Sequence, residues 1–204
     1  MKYIFILLLL LSTACQHRYA YRNETTYIMD TIIVSKEKFD TAFFFANADE
    51  LLDYRNTLED GTLIKMTAGR EEFVEWISPS DSYYANVKIF YRPSGVIKEE
   101  GKAFVKGGWC SGIWKFYHTN GRLVKTIDYD GPFKFTIDDV LKYCKKNGWE
   151  IGKGHFAHSD VDIRREVFEG KGTWALWVPR VEHEIYLDGD TGKETGRKYM
   201  PLVY

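Results

Sequence analysis

A cysteine between two glycines is the first group in this chain that could do chemistry. Gly108 to Gly112 read GWCSG, the spacing of a nucleophile elbow, where a serine or cysteine occupies a sharp turn between a strand and a helix. Cys110 would attack as a thiolate and would need a histidine as base. The residues after Gly112 alternate as a strand, and no helix follows. His118 lies at the far end of that strand, roughly 24 Å away in an extended chain. We therefore expect a turn here.

Two polar stretches in the second half of the chain could bind a metal ion. His158, Asp160 and Asp162 have the spacing that places one imidazole and two carboxylates on one face of a strand. No second set of ligands accompanies them, so we expect a solvated strand edge or loop. Asp188 to Gly192 read DGDTG, like the start of a calcium loop, but Glu194 comes too early to be the terminal ligand of an EF-hand. We expect a hairpin turn there, and neither a metal nor another cofactor.

Aromatic residues are unusually frequent in this chain. They make up 16% of it, with 14 Tyr and 6 Trp, which is more than small sheets bury on one face. Most should lie in the core or in cross-strand pairs. Those that remain exposed would form a contact surface, because Tyr and Trp are enriched in interface hot spots. The residues predicted for this surface are Tyr83, Tyr84, Trp109 and Trp114.

The N-terminal residues have the layout of an export signal. Met1-Lys2 is followed by nine apolar residues and then by Ser12-Thr13-Ala14-Cys15. This is the pattern of a secretory signal peptide, and it is shorter than the about 20 apolar residues of a membrane-spanning helix. Small residues that end on a cysteine resemble the lipobox of bacterial lipoproteins, although Ser12 stands where that family usually has Leu. The resemblance implies that Cys15 is acylated and becomes the first residue of the mature chain.

An acylated Cys15 predicts a lipid-anchored protein of the cell envelope. Residues 1–14 are then a signal peptide and residues 15–26 a tether, and acyl chains on Cys15 would hold the body stably on a membrane. Gln16 follows the cysteine, which under the sorting rule of the family implies the outer membrane of a Gram-negative bacterium. The 28 Lys and Arg balance 29 Asp and Glu, so nucleic acid is not an expected partner.

Residues 27–131 are expected to form a β-rich domain. Residues 27–34 are β-branched and predict a strand. Asp40 could cap a helix, although Phe43 to Phe45 could equally form a short strand; the helix is preferred. From residue 57 onwards, short strands separated by glycine turns predict a meander of antiparallel hairpins.

An internal repeat lies inside this meander. Phe90 to Lys98 aligns with Phe116 to Lys125 at an offset of 26 residues, and a degenerate third copy begins at Asp60. Each copy predicts an aromatic strand, a turn with a left-handed glycine, and a β-branched strand. The stretch GIWKFYHTNGRL from Gly112 to Leu123 resembles the G-x-W-x-x-Y-x-x-N-G-x-L core of the MORN-repeat variant. That repeat is found in bacterial exported and antitoxin-like proteins.

Residues 132–204 are expected to form a second unit that begins with a helix. Thr136 is the predicted N-cap, and two acidic residues follow in the first turn. Asn147-Gly148 closes the helix. Its apolar face consists of Ile137, Val140, Leu141 and Cys144. Strands are predicted at residues 155–157, 163–168, 173–178 and 181–187.

The end of this unit resembles a second family. Strands that follow a helix and end on Tyr-Leu-Asp-x-x-Thr-Gly-Lys, here Tyr186 to Lys193, are similar to the PepSY-like module. The resemblance implies a binding or inhibitory role rather than a catalytic one. Cys110 and Cys144 could form a disulfide, which an exported compartment permits, or remain two buried thiols.

The sequence thus predicts an α+β fold, an antiparallel β-meander of MORN-like hairpins followed by a helix-plus-antiparallel-sheet unit. We expect a non-enzymatic, lipid-anchored binding or structural protein whose partner is a protein, with an immunity- or inhibitor-like role by analogy with the families. One alternative is a binder of envelope glycan or peptidoglycan. The other is an envelope hydrolase that uses Cys110 or the His158 cluster.

Overall fold

A computed structural model of the protein describes residues 32–201 as two antiparallel sheets and two α-helices. The first sheet contains β1 Asp53–Thr57, β2 Leu63–Ala68, β3 Glu72–Ser78, β4 Tyr84–Tyr91, β5 Ile97–Phe104, β6 Cys110–Tyr117 and β7 Leu123–Asp128, hydrogen-bonded in that order. The second contains β8 Asp162–Phe168, β9 Lys171–Val178, β10 His183–Asp188 and β11 Glu194–Tyr199, in the order β11-β10-β9-β8. The helices are α1 Thr41–Asn47 and α2 Ile137–Lys146.

The predicted α+β class is wrong, because the described residues are mostly antiparallel β-sheet. Eleven strands stand against α-helices of only seven and ten residues. The β-meander fits the prediction, but the second part contributes a single helix beside four strands. The edge strands β1 and β11 were not predicted, because their sequences, DYRNT and ETGRKY, lack the apolar alternation of a half-buried strand.

Of the strand predicted at residues 27–34, residues 27–31 lie outside the described residues, and the strand predicted at residues 155–157 is not formed. Residues 32–34 carry only an isolated bridge, Val34 opposite Arg122, because this segment crosses the ends of the strands and can pair at single positions only. Residues 155–157 form bends, and the carbonyls of His155 and Ala157 accept hydrogen bonds from the Lys106 ammonium instead of from a neighbouring strand. The predicted signal peptide, tether and lipidated Cys15 lie outside the described residues.

The repeat hairpins close with the same hydrogen bonds. In each turn, one residue at the end of the first strand or just after it donates its N–H to the carbonyl of the residue that follows the glycine, and its own carbonyl accepts the N–H of that glycine. A short polar side chain just before the glycine then accepts the N–H two residues on, as in an Asx-turn. The glycines have φ angles of +82°, +66° and +81°, which only glycine adopts without strain. They are Gly61, Gly95 and Gly121.

Alternate turns of the meander define two ends of the first sheet. We call the end with residues 69–71, 92–95 and 118–121 the outer end, and the end with residues 58–61, 79–83 and 105–109 the inner end. The second sheet contacts the inner end, where Trp109 Nε1 donates to the Ile163 carbonyl of β8 at 2.9 Å, and in the loop before β8 the Gly154 N–H donates to the Ser82 carbonyl at 2.7 Å. The two sheets share one core, in which Phe104 of β5 packs with residues of α2 and β8–β10.

Residues 33–52 run across the outer end. Ser35 donates to the Gly121 carbonyl at 2.9 Å, and Phe39 donates to the Gly95 carbonyl at 2.8 Å, so one segment makes the same bond to both good copies of the repeat. Asp40 Oδ1 then accepts the Phe43 N–H at 2.9 Å and caps α1, which confirms the predicted helix. Phe44 is fully buried and fixes α1 on the sheet.

The helix α2 also begins and ends as predicted. Thr136 and Asp139 form a capping box, in which each side chain accepts the backbone N–H of the other residue. Gly148 has a φ of +73° just beyond the last turn. The buried residues of α2 are Ile137, Val140 and Cys144.

Candidate functional site

The GWCSG stretch is half turn and half strand. Gly108 has a φ of +66° and ends the turn between β5 and β6, as predicted. Cys110 begins β6 and is 5% exposed, so the expectation of a turn throughout the stretch is wrong. Gly112 has a φ of +63° where the pairing of β6 with β5 shifts register, which is how a glycine produces a bulge inside a strand.

The polar atoms of this stretch bind a charged pair at the junction of the two sheets. Asp130 Oδ2 accepts hydrogen bonds from Ser111 Oγ at 3.0 Å and from the Gly112 N–H at 2.8 Å. Asp130 Oδ1 accepts from Arg165 Nη1 at 2.6 Å. The other guanidinium nitrogen, Nη2, donates to the carbonyl of Cys110. One arginine of β8 is thereby tied to the first strand residue of β6 and to the end of β7.

Arg165 is packed between aromatic rings as well as hydrogen-bonded. Its guanidinium carbon lies 4.4 Å from the ring centroid of Trp109 and 5.2 Å from that of Phe133. Only 7% of its side chain is exposed, and burial lowers the pKa of Arg165, although Asp130 opposes this. Trp109 Nε1 donates to the Ile163 carbonyl at 2.9 Å and so joins β8 to the same junction. We call Arg165, Asp130, Ser111 and Trp109 the junction cluster.

The cysteines do not form the predicted pair. Cys144 carries a free thiol and is fully buried in the shared core, so the disulfide with Cys110 is not formed. The two cysteines belong to different clusters, Cys144 to the shared core around α2 and Cys110 to the cluster around Trp114. Burial raises the pKa of Cys144 to about 12, so this thiol is protonated at neutral pH and is not a nucleophile.

The three residues that were considered as metal ligands, and expected instead in a solvated edge or loop, do not converge. His158 Nε2 lies 2.9 Å from Asp160 Oδ1, and Asp160 Oδ2 accepts the Glu150 N–H at 2.8 Å, a bond that lowers the pKa of Asp160. Asp162 belongs to β8 and lies opposite Trp177. Within residues 32–201, no three His, Cys, Asp or Glu side chains are placed to hold a metal ion.

The second acidic stretch is the predicted hairpin turn between β10 and β11. Asp188 Oδ1 accepts the Thr191 N–H at 2.8 Å, the Thr191 hydroxyl at 2.8 Å and the Asp190 N–H at 3.1 Å. These bonds lower the pKa of Asp188, with the Thr191 hydroxyl as the largest cause. Gly192 follows with a φ of +68°. The carboxylate therefore stabilises the turn.

The predicted aromatic contact surface is not an open surface. Trp114 is 0% exposed, so its inclusion is wrong: its indole lies over Gly101 of the adjacent strand, where a Cβ would come within 2.4 Å of the ring. Its Nε1 donates to the Lys102 carbonyl at 2.9 Å. Tyr83, Tyr84 and Trp109 are half-buried and pack against the core shared by the two sheets.

Sequence reasoning missed Arg165 and Asp130, the charged members of the junction cluster. They lie 35 residues apart, and neither belongs to a motif.

The burial of Trp114 could have been predicted from the sequence of the adjacent strand. Gly101 interrupts the strand pattern of β5, and an isolated glycine within a strand often marks the close approach of another group.

Comparisons with known proteins found no family model, no curated protein and no solved structure that matches the chain. The MORN-like and PepSY-like assignments therefore stay predictions. Within residues 32–201, neither α-helix has the length and apolarity that a bilayer-spanning helix needs.

Proposed function

We propose that the protein is a non-enzymatic, lipid-anchored binding or structural protein of the cell envelope, with an immunity- or inhibitor-like action on a protein partner. The observation that carries this proposal is that the GWCSG stretch binds the charged pair at the junction of the two sheets. Its backbone and hydroxyl groups bind Asp130 and Arg165 and join two sheets. The polar groups of this stretch are therefore used to hold the two sheets together, which is a structural role.

The same geometry argues against the hydrolase alternative. A cysteine protease-like site needs the sulfur beside an imidazole and open to a substrate. Cys110 is buried at the inner end of β6, whereas His118 follows the other end of that strand and belongs to an outer-end turn. His158 is engaged with Asp160 in a different loop. The residues that could do chemistry are therefore dispersed.

The repeat also favours a binding or structural protein. Three hairpins close through a left-handed glycine with the same pair of backbone hydrogen bonds, and the tryptophan of the G-x-W unit fills the space above a glycine on the neighbouring strand. These features fit MORN-like hairpins, and the resemblance, which is good over residues 88–129 and poor over residues 57–87, relates the hairpins to a repeat of exported and antitoxin-like proteins. The finer role, inhibition of or immunity to a partner, rests on the family analogy alone.

Purification of the full chain from detergent-solubilised membranes tests the proposal. A protein partner in stoichiometric amount supports it, whereas a bound sugar with no protein partner would favour the glycan-binding alternative. The Cys15→Ala chain is the matched control, because it should leave the membrane fraction if Cys15 carries the anchor. A hydrolytic activity that disappears in Cys110→Ala while the free energy of unfolding stays unchanged would contradict the non-enzymatic assignment.

A further inference from the structure

The outer end of the meander concentrates the exposed apolar side chains of the protein. Of thirteen large apolar residues that are exposed in residues 32–201, six lie within residues 32–51. Leu51 is 87% exposed and Ile32 is 75% exposed. The others in this group are Ile33, Val34, Phe43 and Phe45. Exposed apolar groups collected at one place mark an interaction surface, whereas single scattered ones do not.

Hydrogen bonds hold the backbone of this segment on the sheet, so its exposed side chains have defined positions. Besides the bond from Ser35 to Gly121, the Leu123 N–H donates to the Ile33 carbonyl at 2.9 Å. In α1, Phe44 is fully buried, and successive residues of a helix point about 100° apart. Phe43 and Phe45 therefore lie at the rim of this contact: one edge of each ring meets Tyr54 or Phe73, and 38% and 53% of the two residues stay exposed.

The exposed charges beside these residues have both signs, with Lys36 and Lys38 in the extended segment and Asp40, Asp49 and Glu50 around α1. Lys36 and Lys38 alternate with Glu37 in the extended segment, and both lysines are exposed. Glu37 is turned towards the sheet and pairs with Lys88 of β4. In the extended segment, exposed Ile33 and Val34 stand beside the two lysines. Large apolar residues with lysines beside them are the composition of segments that lie in a membrane interface, where the lysines attract anionic lipids.

The position of these residues in the chain also favours contact with a lipid membrane. The inner end is covered by the second sheet, as the junction cluster shows, whereas the outer end is where the chain continues towards its N-terminus. Sixteen residues separate Cys15 from Ile32. The outer end is thus the part of the body nearest in sequence to the predicted anchor.

We propose that residues 32–51, which cover the outer end, rest on the surface of the lipid bilayer. This inference rests on the proposed lipid anchor, which would hold the body at the membrane. Contact at the outer end would then leave the second sheet pointing away from the bilayer, where a partner can reach it.

A fluorescent label on the acylated full chain tests this contact. Leu51→Cys carries an environment-sensitive label at the outer end, and Phe168→Cys, also an exposed apolar position at 77%, carries it on the second sheet as a matched control. The chain without an added cysteine gives the labelling background. The proteins are reconstituted in vesicles of phosphatidylethanolamine and phosphatidylglycerol in equal parts, with a fraction of the lipid bearing a nitroxide near the headgroup. We expect the label at residue 51 to be quenched several-fold more than the label at residue 168.

Each other outcome overturns the proposal in a recognisable way. Equal, weak quenching at both positions means that the outer end does not touch the bilayer. A label at residue 51 that is shielded from an aqueous quencher, yet not reached by the lipid nitroxide, means that a protein or a second copy covers this end. The mass of the N-terminal peptide from the same samples reports whether Cys15 is acylated. A chain that is acylated but shows no contact therefore fails this inference and leaves the proposed anchor standing.

Discussion

The two ends of the meander are built from similar hairpin turns but are covered in different ways. At the inner end, side chains make the contact: Arg165 lies between the rings of Trp109 and Phe133 and binds Asp130. At the outer end, the main chain makes it, through repeated N–H to carbonyl bonds between residues 33–39 and the turn glycines. The inner end packs its half-buried aromatic residues against the shared core, whereas the segment that covers the outer end leaves six large apolar residues exposed.

The hairpin turns of the meander thus make contacts of two kinds, one through backbone atoms and one through side chains. Contacts through backbone atoms depend on turn geometry, so any copy with a left-handed glycine can make them. Contacts through an arginine and two rings depend on particular residues and fix one arrangement of the sheets. Mutations at the inner end should therefore act through charge and burial, and mutations at the outer end should act through backbone conformation.

The largest effect is expected for Arg165→Met. The change removes a 7% exposed charge and leaves the Asp130 carboxylate and the Cys110 carbonyl without their partner. Breaking a buried pair costs about 3 kcal/mol at the low end of the usual range, which applies because Asp130 itself is 43% exposed. Urea unfolding followed by tryptophan fluorescence measures the loss.

Arg180→Met is the matched control, because Arg180 is exposed. We expect its effect to stay within about 0.5 kcal/mol. Alkylation of Cys144 gives a second readout, since this thiol is buried in the shared core and should react faster once the junction cluster is weakened. Equal losses for the two arginine variants would show that the inner end does not depend on the cluster.

The next largest effect is expected for Gly121→Ala, compared with Gly95→Ala. Both glycines have positive φ angles, +81° and +66°, so each alanine variant should lose about 1–2 kcal/mol from backbone strain. A Cβ at residue 121 would also lie 2.3 Å from the Ser35 carbonyl oxygen, whereas at residue 95 the nearest atom is at 3.6 Å. Gly121→Ala should therefore lose about 1 kcal/mol more, through the bond to Ser35.

Amide exchange distinguishes strain from loss of the outer-end contact. In Gly121→Ala, the amides of Ser35 and Leu123 should exchange faster, because both are bonded across this contact. In Gly95→Ala they should keep their protection. The prediction fails if the two variants show the same exchange at Ser35.

The local elements were largely predictable from sequence, because local signals determine them. Thr136 and Asp139 have the spacing of a capping box and Gly148 ends the apolar face, so α2 was found with its caps. The repeat turns were found through their glycines, which need positive φ angles. In both cases the evidence lies within a few residues of the element that it predicts.

The junction was not predictable, because its parts meet only after the chain has folded. Arg165 stands in a polar strand, DIRREVF, whose sequence does not reveal that this arginine is buried and its neighbour Arg164 is half exposed. Trp114 was placed on a surface because period-two alternation predicts which residues share a face, not what covers that face. The fold class was wrong for a related reason: a clear helix signal at α2 outweighed two polar edge strands with no signal.

Intermediate effects are expected at the helix caps, one at each end of the molecule. Thr136→Ala removes the acceptor of the Asp139 N–H, and Asp40→Ala removes the acceptor of the Phe43 N–H. Each loss should be about 1 kcal/mol locally. Because α2 belongs to the shared core, Thr136→Ala should lower the global free energy of unfolding, whereas Asp40→Ala should mainly speed amide exchange in α1. A global loss of equal size from both would contradict this contrast between the ends.

The smallest effect is expected between the two ends, at the charged row where Glu75, Lys88 and Glu100 lie opposite one another on adjacent strands. Burial raises the pKa of Glu75, so the folded protein binds this proton more tightly than the unfolded chain does. Stability therefore falls as the pH rises from the ordinary pKa of glutamate through the raised one. Glu75→Gln should be the more stable protein at neutral pH by less than about 1 kcal/mol, since Lys88 opposes the penalty.

Glu100→Gln provides the control of opposite sign in the same row. Burial disfavours the ionised form of Glu100, but hydrogen bonds from Tyr117 Oη at 2.6 Å and Lys115 Nζ at 3.0 Å outweigh it and lower its pKa. Its stabilisation is present above the ordinary pKa and is lost as the pH falls through the lowered one. Glu100→Gln should therefore be less stable than the parent at neutral pH, and urea unfolding at pH 7 and near pH 4 should bring both variants closer to the parent at the lower pH. If the two substitutions change the free energy of unfolding in the same direction at neutral pH, then Glu75 and Glu100 do not differ in the way that their burial and hydrogen bonds predict. The charged row would then behave as a set of solvated ion pairs.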